Sequence, residues 1–573
     1  MADYVIRGGT VVDGTGGPSR VADIAIEGGK IIAIGVITDS GAMELDAQGL
    51  VVAPGIIDPH THYDAQLFWD PSASPSNLHG VTSIIGGNCG FSLAPINAID
   101  ADYIRRMMAK VEGMPLEALE NGVPWSWSSF GEYLDALDGK LGVNAGFLVG
   151  HCALRRKVMG AARDQEVATD EEIEKMVALL GESIQAGGLG FSSSQSRTHS
   201  DGENKPVNSR IADRREMLAF CAEVGEHEGT TLEYITNGCL DNFTDEEIDL
   251  MIEMSVAANR PLNWNVLSVD ARSEKKVQRQ LEAGTVAAER GGKIVALTMP
   301  TLVPMNMSFG SHCALFLIPG WGDTMQLPVL ERIAALSDPD VRLKLNELAN
   351  SKDAGIFRHL AAWGRFTIGD TFSPANEGLA GRSVESIATE RGQDPFDVLL
   401  DLVIADGLRT VLWPPSMGVT AEDWAARAAA WADDRIMLGG SDAGAHLDRM
   451  CGSNYPTAFL ADVLRGHQLV SVERAVAMMT SDPAKLFGLK GRGVIAEGNH
   501  ADLFIFDPKT IGSEPAKLVE DLPGGSARLT AGSTGVVRVI VGGVDTVCDG
   551  VATGATPGSI LRSGQATVSV TTH

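Results

Sequence analysis

The spacing of apolar residues changes along the chain. Up to about residue 50 they come in short alternating runs cut by glycine. Tyr4-Val5-Ile6-Arg7 precedes Gly8-Gly9, and Thr10-Val11-Val12 precedes a Gly-rich turn. Ala22-Asp23-Ile24-Ala25-Ile26-Glu27 precedes Gly28-Gly29 and Lys30-Ile31-Ile32-Ala33-Ile34. Period-two alternation bounded by turn residues predicts β-hairpins. A sheet this small is not stable alone. The same pattern returns at the far end, in Asp502-Leu503-Phe504-Ile505-Phe506-Asp507-Pro508 and in Val536-Val537-Arg538-Val539-Ile540-Val541. The two ends, 1–53 and 487–573, are predicted to meet in one small β-sandwich with a large domain, 54–486, inserted between them.

Inside that domain, apolar strand-like runs alternate with helical periodicity. Thr82-Ser83-Ile84-Ile85, the run 143–149, Leu189-Gly190-Phe191-Ser192-Ser193 and Thr230-Thr231-Leu232-Glu233-Tyr234-Ile235 read as strands. So do Pro261-Leu262-Asn263-Trp264-Asn265-Val266-Leu267, Lys293-Ile294-Val295-Ala296-Leu297 and Arg435-Ile436-Met437-Leu438. Thr169-Asp170-Glu171-Glu172 and Thr244-Asp245-Glu246-Glu247 are capping boxes that open helices. The first of these helices carries Ile173, Met176, Val177 and Leu180 on one face and ends at Gly187-Gly188. Helices are also predicted over 216–224, 273–290, 395–405 and 471–479, with a further strand at Arg409-Thr410-Val411-Leu412-Trp413. About eight such βα units imply an α/β fold of the (β/α)8 TIM barrel type. Residues 100–135 and 301–380 break the alternation and read as insertions that shape a site.

Composition narrows the function. The 573 residues are 44% hydrophobic and 21% charged, as in a folded globular chain. A formal charge of −28 repels phosphate backbones and anionic lipid, so neither nucleic acid nor a membrane surface is an expected partner. A small-molecule substrate is expected, and a homo-oligomer stays open. The N-terminus lacks the pattern of a signal peptide, and seven scattered cysteines include no Cys-x-x-Cys pair. A reduced, cytoplasmic protein is expected.

The candidate chemistry starts at Pro54-Gly55-Ile56-Ile57-Asp58-Pro59-His60-Thr61-His62. Residues i and i+2 of a strand share a face, so His60 and His62 would point the same way at a strand end. Two neutral imidazoles converging on one point suit a divalent ion such as zinc. Two solvated loop histidines are the plain alternative.

In this arrangement the chain resembles the amidohydrolase superfamily. The matching features are the Pro-Gly-x-Ile-Asp-x-His-x-His opening, a last strand ending at Gly440-Ser441-Asp442-Ala443-Gly444-Ala445-His446, and the exit Asp482-Pro483-Ala484 to Asp502-Leu503. Gly87-Asn88-Cys89-Gly90-Phe91-Ser92-Leu93-Ala94-Pro95 and Val149-Gly150-His151-Cys152-Ala153-Leu154-Arg155 further resemble the D-aminoacylase (N-acyl-D-amino-acid deacylase) group, as does the weaker Asp549-Gly550 to Pro557-Gly558. The resemblance implies a metal-dependent hydrolase of a non-peptide amide C–N bond. Asp442 would be the general acid/base, moving a proton from the attacking water to the leaving amine. Cys89 would be a thiolate ligand beside His60 and His62, and His151 a substrate contact or a support for one.

The chain departs from that group at the fifth and sixth strands, where D-aminoacylases place metal-binding histidines. Here Leu232-Glu233-Tyr234 and Asn263-Trp264-Asn265 carry none, and no lysine stands there to bridge two ions. Glu233 is a candidate oxygen ligand and Asn265 a weak ligand or substrate contact, so one ion is expected, most simply Zn2+. An N-acyl amino acid needs a cationic anchor for its carboxylate. Arg197 and Arg449 are candidates, with His199 and Asp201 in the loop of the former. His227 and His573 read as surface residues. A cyclic amide or lactone hydrolase is the competing enzyme reading, and a degenerate barrel serving as a binding scaffold the non-catalytic one.

Overall fold

The computed structural model describes residues 2–310 and 313–572, so His573 lies outside the described residues. Both chain ends build one sheet. Its strands run in the order Val551–Ala552, Val544–Cys548, Val536–Val541, Leu503–Phe506, Val51–Pro54, Tyr4–Val11, Arg20–Glu27 and Lys30–Gly35, with Met43–Asp46 also beside Tyr4–Val11. The seam between the termini is the antiparallel pairing of Leu503 with Pro54 through Phe506 with Val51. The apolar positions of the alternating runs, among them Ile6, Ile24, Ile31, Val52, Leu503 and Ile540, pack as one buried cluster.

Parallel strands with intervening helices make up the α/β part. Ile56–Asp58, Val81–Gly86 and Asn144–Phe147 form one parallel sheet. Val149–Gly150, Gly190–Ser194, Thr231–Ile235, Leu262–Trp264, Ile294–Thr298 and Ile436–Leu438 form another. Only Leu148 separates Asn144–Phe147 from Val149–Gly150, and its amide donates to the Gly86 carbonyl at 3.0 Å. Every residue of Val81–Gly86, Gly190–Ser194 and Thr231–Ile235 is buried. Strands covered on both faces lose the polar half of the alternation, which is why these runs read as continuously apolar or small.

The helices start where capping chemistry allows. Thr169 Oγ1 accepts from the Glu172 amide, and Glu172 Oε2 accepts from the Thr169 amide, at the head of Asp170–Gln185. Thr244 and Glu247 do the same for Asp245–Ala258. Each box satisfies two amides that helix geometry leaves without a partner. The 100–135 stretch folds as three helices, Ala101–Val111, Leu116–Gly122 and Phe130–Leu137. Between the second and third, the Trp127 indole donates to the Leu93 carbonyl at 2.8 Å and stacks on Phe68 at 4.9 Å.

A second compact unit comprises 303–419 and 449–451. It has its own core around Trp321, Trp363, Phe366 and Phe396. The alternation assigned 395–405 and 409–413 to the barrel. The structure places both here, and Leu412–Trp413 pairs antiparallel with Thr367–Ile368. A short apolar run does not reveal which strand it will join. Among the described residues no helix is long and apolar enough to cross a membrane.

Candidate metal centre

His60 and His62 lie just past the strand Ile56–Asp58, not within it. Their backbone is still held as a strand would be. The Thr61 amide donates to Ile85 O at 2.9 Å, and the His62 amide to Ala443 O at 2.7 Å. Thr61 and Ala443 thereby form a parallel bridge. The two rings face one region, centroids 5.3 Å apart, and both are fully buried.

Cys89 joins them from the turn after Val81–Gly86. Gly87 makes that turn possible: at φ +71° a Cβ would sit 2.1 Å from the Leu148 carbonyl oxygen. Cys89 itself takes φ +56°, an unfavourable conformation for a residue with a side chain. It brings Sγ to 3.5 Å from His60 Nε2. One donor atom each from His60, His62 and Cys89 lies within 4.8 Å of the others.

Asp442 follows the strand Ile436–Leu438 and is likewise left-handed, at φ +51°. Its Oδ1 is 3.3 Å from His60 Nε2 and 3.9 Å from His62 Nε2, and it accepts from Asn265 Nδ2 at 3.3 Å. The side chain keeps 19% exposure where the imidazoles keep almost none, so it is the reachable group of the cluster. Gly444 lets this loop approach: a Cβ there would stand 2.6 Å from the His62 backbone. Asp58 ties first strand to last, accepting from Ser441 Oγ at 2.5 Å.

Burial dominates the electrostatics. It drives His60 down to about 3, helped by His199, and His62 well below the usual imidazole range, helped by His60, His446 and His199. Both rings are therefore neutral, the state a metal ligand needs. Burial lifts Asp442 to about 7, with Asp58 adding to it and Asn265 opposing. Glu233 rises to about 8 through burial, against the bond from the Cys89 amide. The Cys89 thiol is pushed above its ordinary range by burial, then by Glu233, Glu112 and Asp442. Two neutral imidazoles, with a thiol and carboxyl groups whose protons a cation would displace, form a donor set that a divalent ion fits.

The other expected residues divide between supports of this cluster and positions outside it. Glu233 is fully buried, but its Oε2 accepts from the Cys89 amide at 2.7 Å, so it braces the Cys89 turn and stands outside the three-donor set. Asn265 touches Asp442. The ring of His199 lies 5.3 Å from Phe91, and its Nδ1 is 2.7 Å from Ser194 Oγ. His151 opens the helix His151–Met159. Its Nδ1 meets Ser193 Oγ at 2.8 Å and its Nε2 meets Glu216 Oε1 at 2.7 Å, which leaves neither nitrogen for a substrate. The Arg197 side chain is exposed. Asp201 accepts the Glu203 and Lys205 amides of its own turn. Arg449 belongs to the second compact unit, where its carbonyl accepts the Asn306 amide. His227 is half-buried and pairs with Glu223 at 2.8 Å, so it is not the surface residue expected.

Sequence reasoning passed over three groups. Asp58 and His446 lie inside the quoted motifs, two residues before His60 and four after Asp442. Glu112 comes from the first insertion, and its Oε2 is 3.7 Å from His62 Nε2. No motif surrounds it.

Comparison with known proteins places the whole chain. Residues 43–547 match the amidohydrolase family. The chain is 30% identical over 516 residues to a D-aminoacylase of Alcaligenes xylosoxydans xylosoxydans, covering 89% of each chain. It is 29% identical over 574 residues to an N-acyl-D-aspartate deacylase of the same organism, covering 99% of this chain and 96% of that one. A solved D-aminoacylase, described as having a binuclear metal centre with one-metal activation and second-metal attenuation, superposes with a TM-score of 0.63 at 25% identity, over 98% of this chain and 100% of that one. With His60, His62, Cys89 and Asp442 gathered in one place and the match spanning both the sheet of the termini and the parallel strands, this chain belongs to the amidohydrolase family.

Proposed function

We propose that the protein is a metal-dependent hydrolase that cuts the amide C–N bond of an N-acyl-D-amino acid, using one zinc ion held by His60, His62 and Cys89. The observation that carries this is the convergence of those three donors within 4.8 Å, with Asp442 Oδ1 3.3 Å from His60 Nε2. An ion there supplies Lewis-acid polarisation of the amide carbonyl and acidifies water toward a pKa of ~7. Asp442, the reachable carboxyl of the cluster, would take a proton from the attacking water and pass it to the departing nitrogen. Asn265 holds Oδ1 in place for that transfer. A count of one ion is supported by the fifth and sixth strands, where Glu233 and Asn265 offer no imidazole.

The eight parallel strands are read as one closed barrel over 54–486, with Asn144–Phe147 and Val149–Gly150 counted as one strand. The Thr61–Ala443 bridge supports closure between first and last strand. The sheet of 1–53 and 487–573 is read as the accessory β-sandwich. A cytoplasmic location is supported by seven free cysteines.

The test offers zinc-loaded protein N-acetyl-D-amino acids, their L-enantiomers, cyclic amides and lactones, and follows loss of each substrate and its product by chromatography. Release from D-substrates is expected. Turnover of cyclic amides or lactones alone, or none by fully loaded protein, would overturn the assignment.

A further inference from the structure

We infer that His199 is a second catalytic residue, whose Nε2–H donates a hydrogen bond to the oxygen of the scissile carbonyl and stabilises the charge that grows there. The inference rests on the amide hydrolysis proposed above and gives that site an electrophilic partner for Asp442.

His199 stands in the loop after Gly190–Ser194, and the end of that strand packs on the Cys89 turn. A Cβ at Gly90 would lie 3.1 Å from both Ser193 Cα and the Ser194 amide nitrogen. The His199 ring sits against Phe91, two residues beyond Cys89, at 5.3 Å between centroids. Its backbone is pinned. The amide donates to Ser196 O at 3.1 Å, and the carbonyl accepts from the Val207 amide at 3.3 Å and from Arg210 Nη1 at 3.1 Å. The ring is close enough to act electrostatically on both His60 and His62. Those two imidazoles are sealed, whereas His199 keeps partial exposure, so a substrate can reach it.

Ser194 decides the tautomer. That side chain is buried, and its Oγ accepts from the Ser196 amide at 3.2 Å and meets His199 Nδ1 at 2.7 Å. A buried hydroxyl needs an acceptor for its hydrogen, and Nδ1 is the one it meets among the described residues. Nδ1 therefore accepts, and the ring proton is on Nε2. Nε2, across the ring from Ser194, has no hydrogen-bond partner among the described residues. Burial, then His446 and Arg210, bring the ring to about 3, so it is neutral near pH 7. A neutral imidazole offers its N–H without giving up the proton, which suits an electrophile and not an acid.

As water adds to the carbonyl carbon, the C=O π pair moves onto oxygen, where the Nε2–H bears. Collapse returns the pair, breaks the C–N bond and releases the amine with the proton that Asp442 took from the water. His199 gains and loses no proton.

Full-length, zinc-loaded wild type, His199→Asn and His199→Gln are compared on an N-acetyl-D-amino acid, with zinc affinity measured by chelator competition. Asparagine keeps a polar group beside Ser194 and leaves the Nε2 place empty. Glutamine reaches that place with an N–H. Loss of one oxyanion donor costs about 10²- to 10³-fold in kcat. The asparagine variant is expected to lose that much in kcat, with KM and zinc affinity within threefold of wild type, and the glutamine variant to recover at least tenfold. A kcat loss under tenfold in the asparagine variant, equal losses in both variants, or a loss that follows zinc content would overturn the inference. If the asparagine variant does not fold, His199→Phe, which keeps a ring against Phe91, is judged by the same criteria. Zinc-loaded wild type that cleaves no D-substrate would overturn the amide hydrolysis itself, an outcome distinct from failure of His199 alone.

Discussion

Asp442→Asn should separate chemistry from architecture. The change swaps one oxygen for an amide of nearly the same shape. The new side chain can still offer its oxygen to Asn265 Nδ2, now 3.3 Å from Oδ1. It cannot accept a proton from water. A positioned general acid/base contributes about 10²- to 10⁴-fold, or roughly 3–5 kcal/mol of barrier. The wild-type carboxyl sits at about 7 mainly through burial. At ~1.4 kcal/mol per pKa unit, holding it ionised above pH 7 costs the metal-free fold at most about 4 kcal/mol. Asparagine has no such cost. The variant is therefore expected to keep its zinc content by elemental analysis, to melt at or above wild type when metal-free, and to lose at least 100-fold in kcat/KM on an N-acetyl-D-amino acid. Wild-type turnover in a zinc-loaded variant would remove Asp442 from the mechanism. Loss of zinc in step with activity would instead make it a ligand.

Cys89→Ser, which replaces a soft donor by a hard one in the same left-handed turn, is expected to weaken zinc at least 10-fold and to abolish the thiolate-to-cobalt charge-transfer band near the ultraviolet edge; an unchanged band would exclude Cys89 from the ion. His79 gives a pH test away from the centre. It is buried, with Nδ1 2.6 Å from Thr457 Oγ1 and Nε2 3.0 Å from Ala531 O, and burial lowers it from 6.5 to about 4. The unfolded chain then binds a proton that the folded chain refuses. Stability is intact above pH 6.5 and falls by about 3 kcal/mol as pH drops to about 4. Urea unfolding of His79→Asn should be shallower over that window, and parallel pH profiles would refute the assignment.

The sheet of the termini was readable because alternation and glycine turns are local signals: Leu503–Phe506 reads as a strand before its pairing with Val51–Pro54 is seen. The capping boxes at Thr169 and Thr244 were readable for the same reason. His60 and His62 could be paired from their spacing alone, whereas Cys89 was visible only through resemblance, since its left-handed turn has no periodicity. Glu233 could be read as a strand carboxyl but its partner could not, because nothing in a sequence says that the Cys89 amide 144 residues away will donate to it. His151 resembled a site residue because it follows a strand. Its true partner, Glu216, is buried on another helix with Arg155 also bonded to it. Glu112 was illegible for a stronger reason. Its place beside His62 depends on how three inserted helices pack, and its neighbours Val111 and Gly113 give no hint of it.

Burial makes the cluster receptive to a cation, without any appeal to relatives. Asp58 and Glu233 are fully buried and Glu112 nearly so. The hydrogen bonds received by Asp58, Glu233 and Asp442 come from Ser441, backbone amides and Asn265, all neutral. The nearby imidazoles are themselves driven neutral. Desolvated carboxylates in such surroundings cost several kcal/mol each, so without a metal the cluster takes up protons, with Asp58 and Asp442 at about 7 and Glu233 at about 8. A divalent ion displaces those protons, and zinc binding should therefore tighten as pH rises through that range. The acid chemistry of the centre and its appetite for metal then have one cause. Of these three raised carboxyls, only Asp442 keeps appreciable exposure, which is why the proposed proton transfer is assigned to it.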